Sequence, residues 1–382
     1  MDLALSEEQE LLQQTAREFV AGRSSLKRVR ALRDAADPDG FSRKLWQEMA
    51  RLGWVGIVLP EQHGGLGLGY MELMVVMEEL GRGLMPEPIV STVLLGANAI
   101  LLGGSETQKR EHLPAVAGGE RLLALAYQEP RSRYAIHHVE TAAERAGGGW
   151  ALGGEKIQVL DGQVADPLIV SARTSGGPRD AAGITLFLVP RDAPGVTVTR
   201  QVRLDSRSIA LVRLDGVRVG PETALGPVDG GGALLARTLD RATVGLTAEM
   251  LGSMTAAFDM TIEYLRTRVQ FGVPIGSFQA LKHRAAKLYV ELELARSAVM
   301  NAARALDEGR DDAVVARAAS IAKARCSDTF VLIGNEAVQM HGGIGMTDEH
   351  DIGFFLKRAR AAEMTFGDAA WHRDRVAGLD GY

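Results

Sequence analysis

One stretch of the sequence combines an arginine, aromatic rings and glutamine around a helix-breaking Gly-x-Pro turn. It covers residues 268–279 and reads RVQFGVPIGSFQ in one-letter code. The planar guanidinium of Arg268 suits the charge and shape of a pyrophosphate, and the rings of Phe271 and Phe278 suit a nucleotide base or ribose. An ordinary turn between two helices, with aromatic rings that fill the core, has the same composition. Composition alone leaves both interpretations open.

Two glycine-rich segments offer further candidate ligand contacts. Residues 339–346, QMHGGIGM, end a long helical pattern. Glycines at such a place usually form a C-terminal cap, and two consecutive glycines also let a ligand approach the main chain. Residues 63–69, HGGLGLG, lack the lysine and hydroxyl residue of a phosphate-binding loop and do not match a dinucleotide-binding fingerprint. This second segment is interpreted as a structural turn.

Three regions of different periodicity must position these residues. Residues 1–120 have helical patterns, residues 121–228 have short β-branched runs bounded by Gly, Pro and Asp, and residues 229–382 are helical again. The last region includes helical segments over about 278–308 and 311–340. The sequence therefore predicts an α+β fold: an N-terminal helical domain, a compact middle antiparallel β domain and a C-terminal bundle of long helices.

Composition places the chain among ordinary globular proteins. The sequence has 382 residues, of which 46% are hydrophobic and 24% charged, and this predicts two or three domains with a sizeable core. The net charge of −5 is spread along the whole chain, which argues against a nucleic-acid surface. No apolar run approaches the roughly 20 residues of a membrane span, so no membrane insertion is expected.

The sequence gives little indication of thiol, metal or targeting chemistry. The single cysteine, Cys326, excludes a disulfide within the chain, and a helix residue without chemistry is preferred over a reactive thiol. No group of residues has the spacing of metal ligands, so no metal is expected. The N-terminal residues lack the basic-then-apolar order of a signal peptide, and a cytoplasmic location is expected.

Together these motifs resemble those of the acyl-CoA dehydrogenase family. The resemblance runs from Ser-Glu-Glu-Gln at residues 6–9, through Leu-Pro-Glu-x-x-Gly-Gly at 59–65, to the motifs at 268–279 and 339–345, and covers essentially the whole chain. It implies a C-terminal four-helix bundle behind the helical and β domains, and assembly as a dimer of dimers. It also implies α,β-dehydrogenation of an acyl-CoA thioester, with FAD as hydride acceptor across each dimer interface and an electron-transfer acceptor as partner.

The resemblance assigns the two C-terminal motifs to the FAD of a neighbouring subunit. In this family they reach across the interface, where a guanidinium offsets the pyrophosphate charge and glycines admit main-chain contacts. The residues at the matching positions are Arg268, Gln270, Phe271, Ile275, Phe278, Gln279, Gln339, Gly342 and Gly343.

The catalytic base of the family is missing from both of its usual positions. The reaction removes an α-proton from the thioester, and this step needs a carboxylate beside the substrate. The usual Glu-Gly-Thr tripeptide aligns with Phe-Gly-Asp, so that Phe366 replaces the glutamate, and the second usual position, ahead of Gly252, is Ala242. Glu249 and Asp368 remain as candidate substitutes, although charged residues near apolar helix faces are more often ion-paired structural groups.

The middle domain also departs from the family pattern. Members usually have Thr-Glu-x-Gly-x-Gly-Ser and Trp-x-Thr beside the flavin ring, where this sequence has QEPRSRY at 128–134 and QVL at 158–160. Hydroxyl donors and small residues are lost, while Arg131, Arg133 and Tyr134 are gained. The two arginines could hold an anionic group such as a CoA phosphate, or could fill space with local salt bridges, and the second interpretation is preferred.

The altered residues are unevenly distributed between the two halves of an expected flavin site. Residues that would serve a neighbour's FAD are kept, whereas those that would serve this chain's own flavin ring and base are changed. The leading hypothesis is a subunit of a heteromeric acyl-CoA dehydrogenase, similar to the degenerate partner in pathways for steroid side chains or dicarboxylic acids. One alternative is a self-sufficient homotetramer with a relocated base. Another is a different reaction on the same scaffold, or a non-catalytic partner that binds acyl-CoA or FAD.

Overall fold

The chain folds into two compact units, each assembled from separate stretches of sequence. The computed structural model describes residues 4–382, so the first three residues of the predicted N-terminal domain lie outside the described residues. The helical unit contains the described residues up to Ala35, Gly69–Met85 and Thr243–Tyr382, and the sheet unit contains Ala36–Leu68 and Pro86–Ala242. Because both units are discontinuous, they do not test the predicted domain boundaries after residues 120 and 228, which remain predictions.

Helices make up most of the helical unit, and the sheet unit also contains helices. In chain order they are α1 (Glu7–Arg23), α2 (Leu26–Asp34), α3 (Arg43–Arg51), α4 (Tyr70–Arg82), α5 (Asn98–Gly103), α6 (Glu106–Ala117), α7 (Gly231–Thr267), α8 (Gln279–Asp307), α9 (Asp312–His341), α10 (Ile352–Met364) and α11 (Ala369–Leu379). A π-helical segment, Val90–Ala97, leads directly into α5. Helices α8 and α9 match the two long helical segments predicted from the sequence.

Local sequence signals explain where several helices begin and end. Ser6 caps α1, because its Oγ accepts a hydrogen bond from the Gln9 amide at 3.3 Å while the Gln9 side chain accepts one from the Ser6 amide at 3.0 Å. At the other end of the chain, α9 stops at Gly342, whose φ of 63° is in the left-handed region. Ser6 and Gln9 thus form a capping box, and the glycine cap expected at the end of the long helix is present.

Two glycines allow α4 and α7 to pack main chain against main chain within the helical unit. A Cβ at Gly252 would lie 1.7 Å from the carbonyl oxygen of Glu78, and a Cβ at Gly81 would lie 2.1 Å from that of Glu249. The Ser253 hydroxyl donates a hydrogen bond to the Gly81 carbonyl at 2.9 Å. Neither glycine position has room for a larger side chain, which is a packing reason for the glycine on α7.

The sheet unit is built around one eight-stranded sheet. The strands are β1 (Ala124–Ala126), β2 (Ala142–Ala146), β3 (Gly149–Leu160), β4 (Leu168–Arg173), β5 (Ile184–Val189), β6 (Val196–Val202), β7 (Ser208–Val219) and β8 (Ala224–Leu225). Their order across the sheet is β6-β7-β3-β2-β4-β5-β8, with β1 beside β4. The pairs are antiparallel except for those that β4 makes with β1 and β2. A separate hairpin of β9 (Val269–Gln270) and β10 (Val273–Pro274) belongs to the helical unit.

The core of the sheet unit lies around its central strands. Every residue of β4 and β5 is buried, which explains why their sequences are continuous apolar, β-branched runs. Trp150 and Phe187 meet edge to face, with 5.7 Å between ring centroids, inside this core. The edge strand β6 alternates between partly buried and exposed residues.

The predicted α+β fold is confirmed, with helices first, a β region next and helices again. The β region is mainly antiparallel as predicted, and the parallel pairing of β1 with β4 is the detail that the strand patterns did not indicate. Strands β2 and β3 were not identified from the sequence. No helix of the described chain is both long and apolar enough to cross a membrane.

Candidate active site and flavin-contact surfaces

The arginine-aromatic motif forms an exposed hairpin between α7 and α8. Strands β9 and β10 pair antiparallel, and the Ile275 amide donates a hydrogen bond to the Arg268 carbonyl at 2.8 Å. Phe271 lies at the tip, where it is 90% exposed, and Phe278 is 38% exposed. The two rings meet edge to face at 6.1 Å. Exposed apolar side chains grouped in this way indicate a surface that meets another molecule.

The predicted FAD-contact residues are almost all accessible. Arg268, Gln270, Phe271, Phe278, Gln279, Gln339, Gly342 and Gly343 are exposed, and Ile275 is half-buried. Within the part of the chain that the structure describes, the guanidinium of Arg268 has neither a hydrogen-bond nor an ion-pair partner. An exposed guanidinium of this kind can bind an anion with two parallel hydrogen bonds.

A stack of three aromatic rings brings the hairpin and the glycine loop to the same end of the helical unit. Tyr264 lies near the end of α7, four residues before Arg268. Its ring stacks on His341 at the end of α9, with 4.4 Å between ring centroids. His350 packs against His341 at 4.5 Å. Because His341 directly precedes Gly342, the two motifs that lie far apart in sequence become neighbours in space.

The glycine loop leaves its main chain open. Gly342 has a φ of 63°, and a Cβ built on Gly342 or Gly343 would meet no atom within 4 Å. These glycines are therefore not required by packing inside the chain, in contrast to Gly65, where a Cβ would lie 2.1 Å from the Leu59 carbonyl oxygen. The loop at 63–69 is thus a tightly packed structural turn, whereas the loop at 342–346 has free space for a ligand.

Phe366, predicted to replace the usual catalytic glutamate, is largely buried. Phe366 is 8% exposed and has a φ of 64°, in the left-handed region that bulky residues rarely adopt. Its carbonyl accepts a hydrogen bond from His372 Nε2 at 3.1 Å. A phenyl ring cannot accept a proton, so Phe366 supplies no base.

Glu249, one candidate substitute base, is engaged in a buried ion pair. The residue is 3% exposed, and its Oε1 lies 3.0 Å from Arg358 Nε and 2.8 Å from the terminal Arg358 nitrogen. Breaking a buried pair of this kind by removing one partner is costly, because an uncompensated charge is left behind. The geometry therefore gives Glu249 a structural task.

The remaining candidate positions also have structural surroundings. The Asp368 carboxylate caps α11 by accepting a hydrogen bond from the Trp371 amide at 2.9 Å. Ala242, the second usual base position, is fully buried in α7 and carries no proton-accepting group. Both candidate carboxylates, Glu249 and Asp368, thus serve helix packing or capping in this fold.

In the sheet unit, a buried ion pair fixes the loop that follows β1. The Glu129 carboxylate accepts hydrogen bonds from the Glu140 amide at 2.6 Å, the Thr141 amide at 3.0 Å and the Lys156 ammonium at 2.6 Å. Lys156 also donates to Ser171 Oγ at 3.0 Å. Burial lowers the pKa of Lys156 to about 8 although Glu129 opposes this shift. Burial would raise the pKa of Glu129, but the Lys156 charge and the hydrogen bonds hold it below its usual value.

The altered side chains of the middle domain gather beside this ion pair. The Ile157 amide donates to the Gln128 carbonyl at 2.8 Å, so the loop at 128–134 and the bulged end of β3 touch. Arg133 lies over the Tyr134 ring at 5.1 Å, with a φ of 43°. Gln158 also has a positive φ, 55°, and is exposed.

Another arginine of this loop, two residues before Arg133, has a local acidic neighbour. Arg131 lies 3.5 Å from Glu140 Oε1, and its side chain remains 78% exposed. This contact agrees with the preferred interpretation of local salt bridges, although so exposed a pair contributes little to stability.

Comparison with known proteins finds matches along almost the whole chain. The models of the acyl-CoA dehydrogenase N-terminal, middle and C-terminal domains match residues 6–120, 124–217 and 229–378. The chain belongs to the acyl-CoA dehydrogenase family. It is 33% identical over 375 residues to mitochondrial isovaleryl-CoA dehydrogenase from Pongo abelii, and the alignment covers 97% of this chain and 88% of that protein.

Solved structures of family members share the fold over the full length. A variant of the Tcur3481–Tcur3483 steroid ACAD superposes with a TM-score of 0.86 and 33% identity, covering 98% of each chain. The ChsE4–ChsE5 complex from Mycobacterium tuberculosis gives a TM-score of 0.89 and 27% identity, covering 100% of each chain. This acyl-CoA dehydrogenase family member is therefore related to flavoprotein oxidoreductases that act on CH–CH bonds.

The residues of this family member fit FAD unequally in its two units. In the helical unit, the unpaired Arg268 guanidinium, the exposed Phe271 ring and the open Gly342–Gly343 main chain suit a pyrophosphate and its nucleotide. In the sheet unit, the positions expected beside a flavin ring carry Arg133 and Tyr134 instead of small residues.

Several residues of these surfaces were not identified from the sequence. Tyr264 and His341 link the two motifs, and Lys323 and His372 contact the segment that carries Phe366. These contacts join different helices, so no local spacing could have indicated them. Among the described residues no group of His, Cys, Asp and Glu could hold a metal ion.

Proposed function

We propose that this chain is a subunit of an FAD-dependent acyl-CoA dehydrogenase that works with a catalytic paralogue. In this proposal its C-terminal motifs bind the FAD held mainly by the neighbouring subunit, and the paralogue supplies the catalytic base. One observation carries the proposal. The residues expected to contact the nucleotide are almost all exposed, and Arg268 has no hydrogen-bond or ion-pair partner among the described residues, whereas the expected base position is a buried Phe366.

The hairpin and glycine loop are suited to the nucleotide end of FAD. Arg268 would pair with the pyrophosphate, because a guanidinium has the fork geometry that matches phosphate oxygens. Phe271 and Phe278 would cover the apolar face of the nucleotide, and the main chain at Gly342 and Gly343 would approach it closely. Since this cluster is exposed on the chain's own surface, it is suited to a ligand that a neighbour presents.

The chemistry of α,β-dehydrogenation explains why the missing carboxylate matters. FAD, when bound, supplies the acceptor for the β-hydride. The protein must supply a group that accepts the α-proton, and Phe366 and Ala242 cannot do so. Glu249 is held by Arg358, and Asp368 accepts a hydrogen bond at the start of α11, so both carboxylates have structural tasks. These contacts favour a catalytic base supplied by the partner subunit over a catalytic base at another position of this chain.

The middle domain supports the same division of labour. Its ion pair of Glu129 and Lys156 keeps the loop in place, so the loop has not been lost. The side chains displayed from it, however, are large and charged where flavin-ring contacts are expected. A chain that contributes to a neighbour's FAD but holds no productive flavin of its own would tolerate these changes.

Further exposed apolar residues support assembly into a mixed tetramer. On α8, Tyr289, Val290 and Leu294 are 54%, 56% and 46% exposed. Exposed apolar side chains of this kind on one helix favour burial against another subunit. The Tcur3481–Tcur3483 steroid ACAD and the ChsE4–ChsE5 complex are each named as combinations of two chains. We infer an acyl-CoA substrate, with a steroid side chain as the preferred class.

The test compares the purified chain alone with its complex with a paralogue that has a glutamate at the position of Phe366. Flavin content is read from the visible absorption spectrum, and turnover from acyl-CoA-dependent reduction of an artificial electron acceptor. We expect a colourless, inactive chain alone and an active complex with half as many flavins as chains. In the complex, changing the paralogue's glutamate to glutamine abolishes turnover, whereas Phe366→Ala leaves turnover in place. A yellow, active chain without a partner would overturn the proposal in favour of a homotetramer.

A further inference from the structure

The segment that joins α10 to α11 is held in place by a buried lysine. Lys323, on α9, is fully buried, and its ammonium donates hydrogen bonds to the carbonyl of Gly367 at 2.7 Å and of Glu363 at 3.0 Å. It also donates to Ser327 Oγ at 2.9 Å. All three contacts are neutral oxygens, two of them on the main chain. The lysine therefore acts on the path of the backbone.

A buried histidine holds the adjacent peptide group. His372, on the first turns of α11, is 1% exposed and donates from Nε2 to the Phe366 carbonyl at 3.1 Å. Because a carbonyl only accepts, the proton must be on Nε2. Burial lowers the pKa of His372 to about 3, an effect that Lys323 reinforces, so the ring stays neutral. Its Nδ1 has no partner among the residues that the structure describes.

The backbone of this segment has a conformation that needs such support. Phe366 has a φ of 64°, in the left-handed region that is unfavourable for a non-glycine residue. Gly367 follows with a φ of 114°, and a Cβ there would lie 2.5 Å from the Trp371 ring and 3.0 Å from His372 Nε2. The consecutive carbonyls of Phe366 and Gly367 are thus both fixed by buried donors. Strain of this kind persists only where the surroundings impose it.

We propose that Lys323 and His372 are positioning residues for the side chain at position 366. They hold the main chain at 366 and 367 and so present whichever side chain stands there, phenyl ring or carboxylate. The inference deepens the proposed function, since it rests on position 366 being where the family places its base. On this view, the chain lost its catalytic base through a change of the side chain at position 366, while Lys323 and His372 still hold the main chain there.

The first test records the fluorine resonance of 4-fluorophenylalanine placed at position 366, without FAD or acyl-CoA. Wild type should give one narrow line. Lys323→Met and His372→Leu should move or split this line, whereas His372→Gln, which returns an N–H donor, should restore it. Val20→Ala, which weakens the packing of α1 on α4, is the control for a general loss of stability and should leave the line unchanged. An unmoved line in both Lys323→Met and His372→Leu, or an equal effect of Val20→Ala, overturns the proposal.

A second test is the crystal structure of Phe366→Glu, alone and combined with Lys323→Met. In the single variant we expect φ at position 366 to remain positive and both carbonyl hydrogen bonds to persist. In the double variant we expect the segment to change its path. A rearranged segment in Phe366→Glu alone contradicts the proposal. Neither test depends on flavin or turnover. If the complex with the paralogue is inactive, that result counts against the proposed function. The positioning role of Lys323 and His372 is then still decided by the two tests above.

Discussion

The ammonium of Lys323 is titratable and fully buried, so its state depends on pH in a way that stability measurements can detect. Burial lowers the pKa of Lys323 to about 7. Three neighbouring acidic groups, Cys326, Glu363 and Asp368, oppose this shift, and Arg358 reinforces it. In the unfolded chain a lysine titrates near pH 10, at about 10.4. Between these two pH values the unfolded chain binds more protons than the folded chain, so the free energy of unfolding rises with pH.

Replacement of Lys323 by methionine should remove this rise. We expect the unfolding free energy of wild type minus that of Lys323→Met to increase from pH 7 towards pH 10, by at most about 1.4 kcal/mol per unit, and to be constant below pH 7. Urea unfolding curves at a series of pH values measure this difference. The exposed Lys282→Met variant, also on a helix, is the control for the loss of a lysine side chain. A constant difference for Lys323→Met would mean that burial does not perturb this lysine.

Single residues of the candidate site carry a sequence signal where the chemistry is local. Arg268, Phe271 and Phe278 fall within one turn, so their types and spacing carry the signal. Lys323 and His372 gave no such signal, because a lysine within a helix is usually solvent-exposed. Their contacts with the main chain at Phe366 and Gly367 exist only once α9, α10 and α11 have packed.

At the scale of elements, the close approach of α4 and α7 is a sharp packing constraint. Gly252→Ala would place a methyl group 1.7 Å from the Glu78 carbonyl, so the helices must separate. We expect this variant to lose about 1–3 kcal/mol of unfolding free energy, or more, as overpacked variants do. Thermal or urea unfolding measures the loss. Gly22→Ala, on α1 with no atom within 4 Å of the added carbon, should be neutral or slightly stabilising. Equal stability of both variants contradicts the main-chain packing.

The accuracy of the element predictions follows from how local each signal is. The long helices α8 and α9 were predicted within one residue, because their apolar periodicity runs for many turns. The continuous apolar runs of β4 and β5 lie within the β-branched region predicted at 121–228. Strand β3 was missed because glycines such as Gly149 and Gly154 interrupt its alternation, and pairing with β7 supplies what the local sequence lacks. Strand β2, Ala142–Ala146, contains no β-branched or aromatic residue that would indicate a strand.

At the scale of the whole molecule, the surface proposed to contact a neighbour's FAD and the expected position of the catalytic base differ in character. The hairpin with Arg268 and the glycine loop at 342–346 are open to the outside, whereas position 366 holds a phenyl ring within an intact backbone frame. The middle-domain loop keeps its Glu129–Lys156 ion pair while its displayed side chains have changed. A chain used only as half of a shared site would retain the first features and be free to lose the second.

This division predicts that Arg268 matters to the assembled protein more than to the fold of the chain. Arg268→Met should leave the unfolding free energy of the isolated chain nearly unchanged, because the exposed guanidinium makes no hydrogen bond or ion pair in the described structure. In the complex with the paralogue, loss of a charge-assisted hydrogen bond should weaken FAD binding about tenfold or more. Flavin retained after dialysis, measured by visible absorption, reports this loss, and Arg266→Met, an exposed arginine on the last turn of α7, is the matched control. If both variants retain flavin as wild type does, the hairpin does not contact the nucleotide. If Arg268→Met instead prevents assembly while Arg266→Met does not, the hairpin acts through the subunit interface.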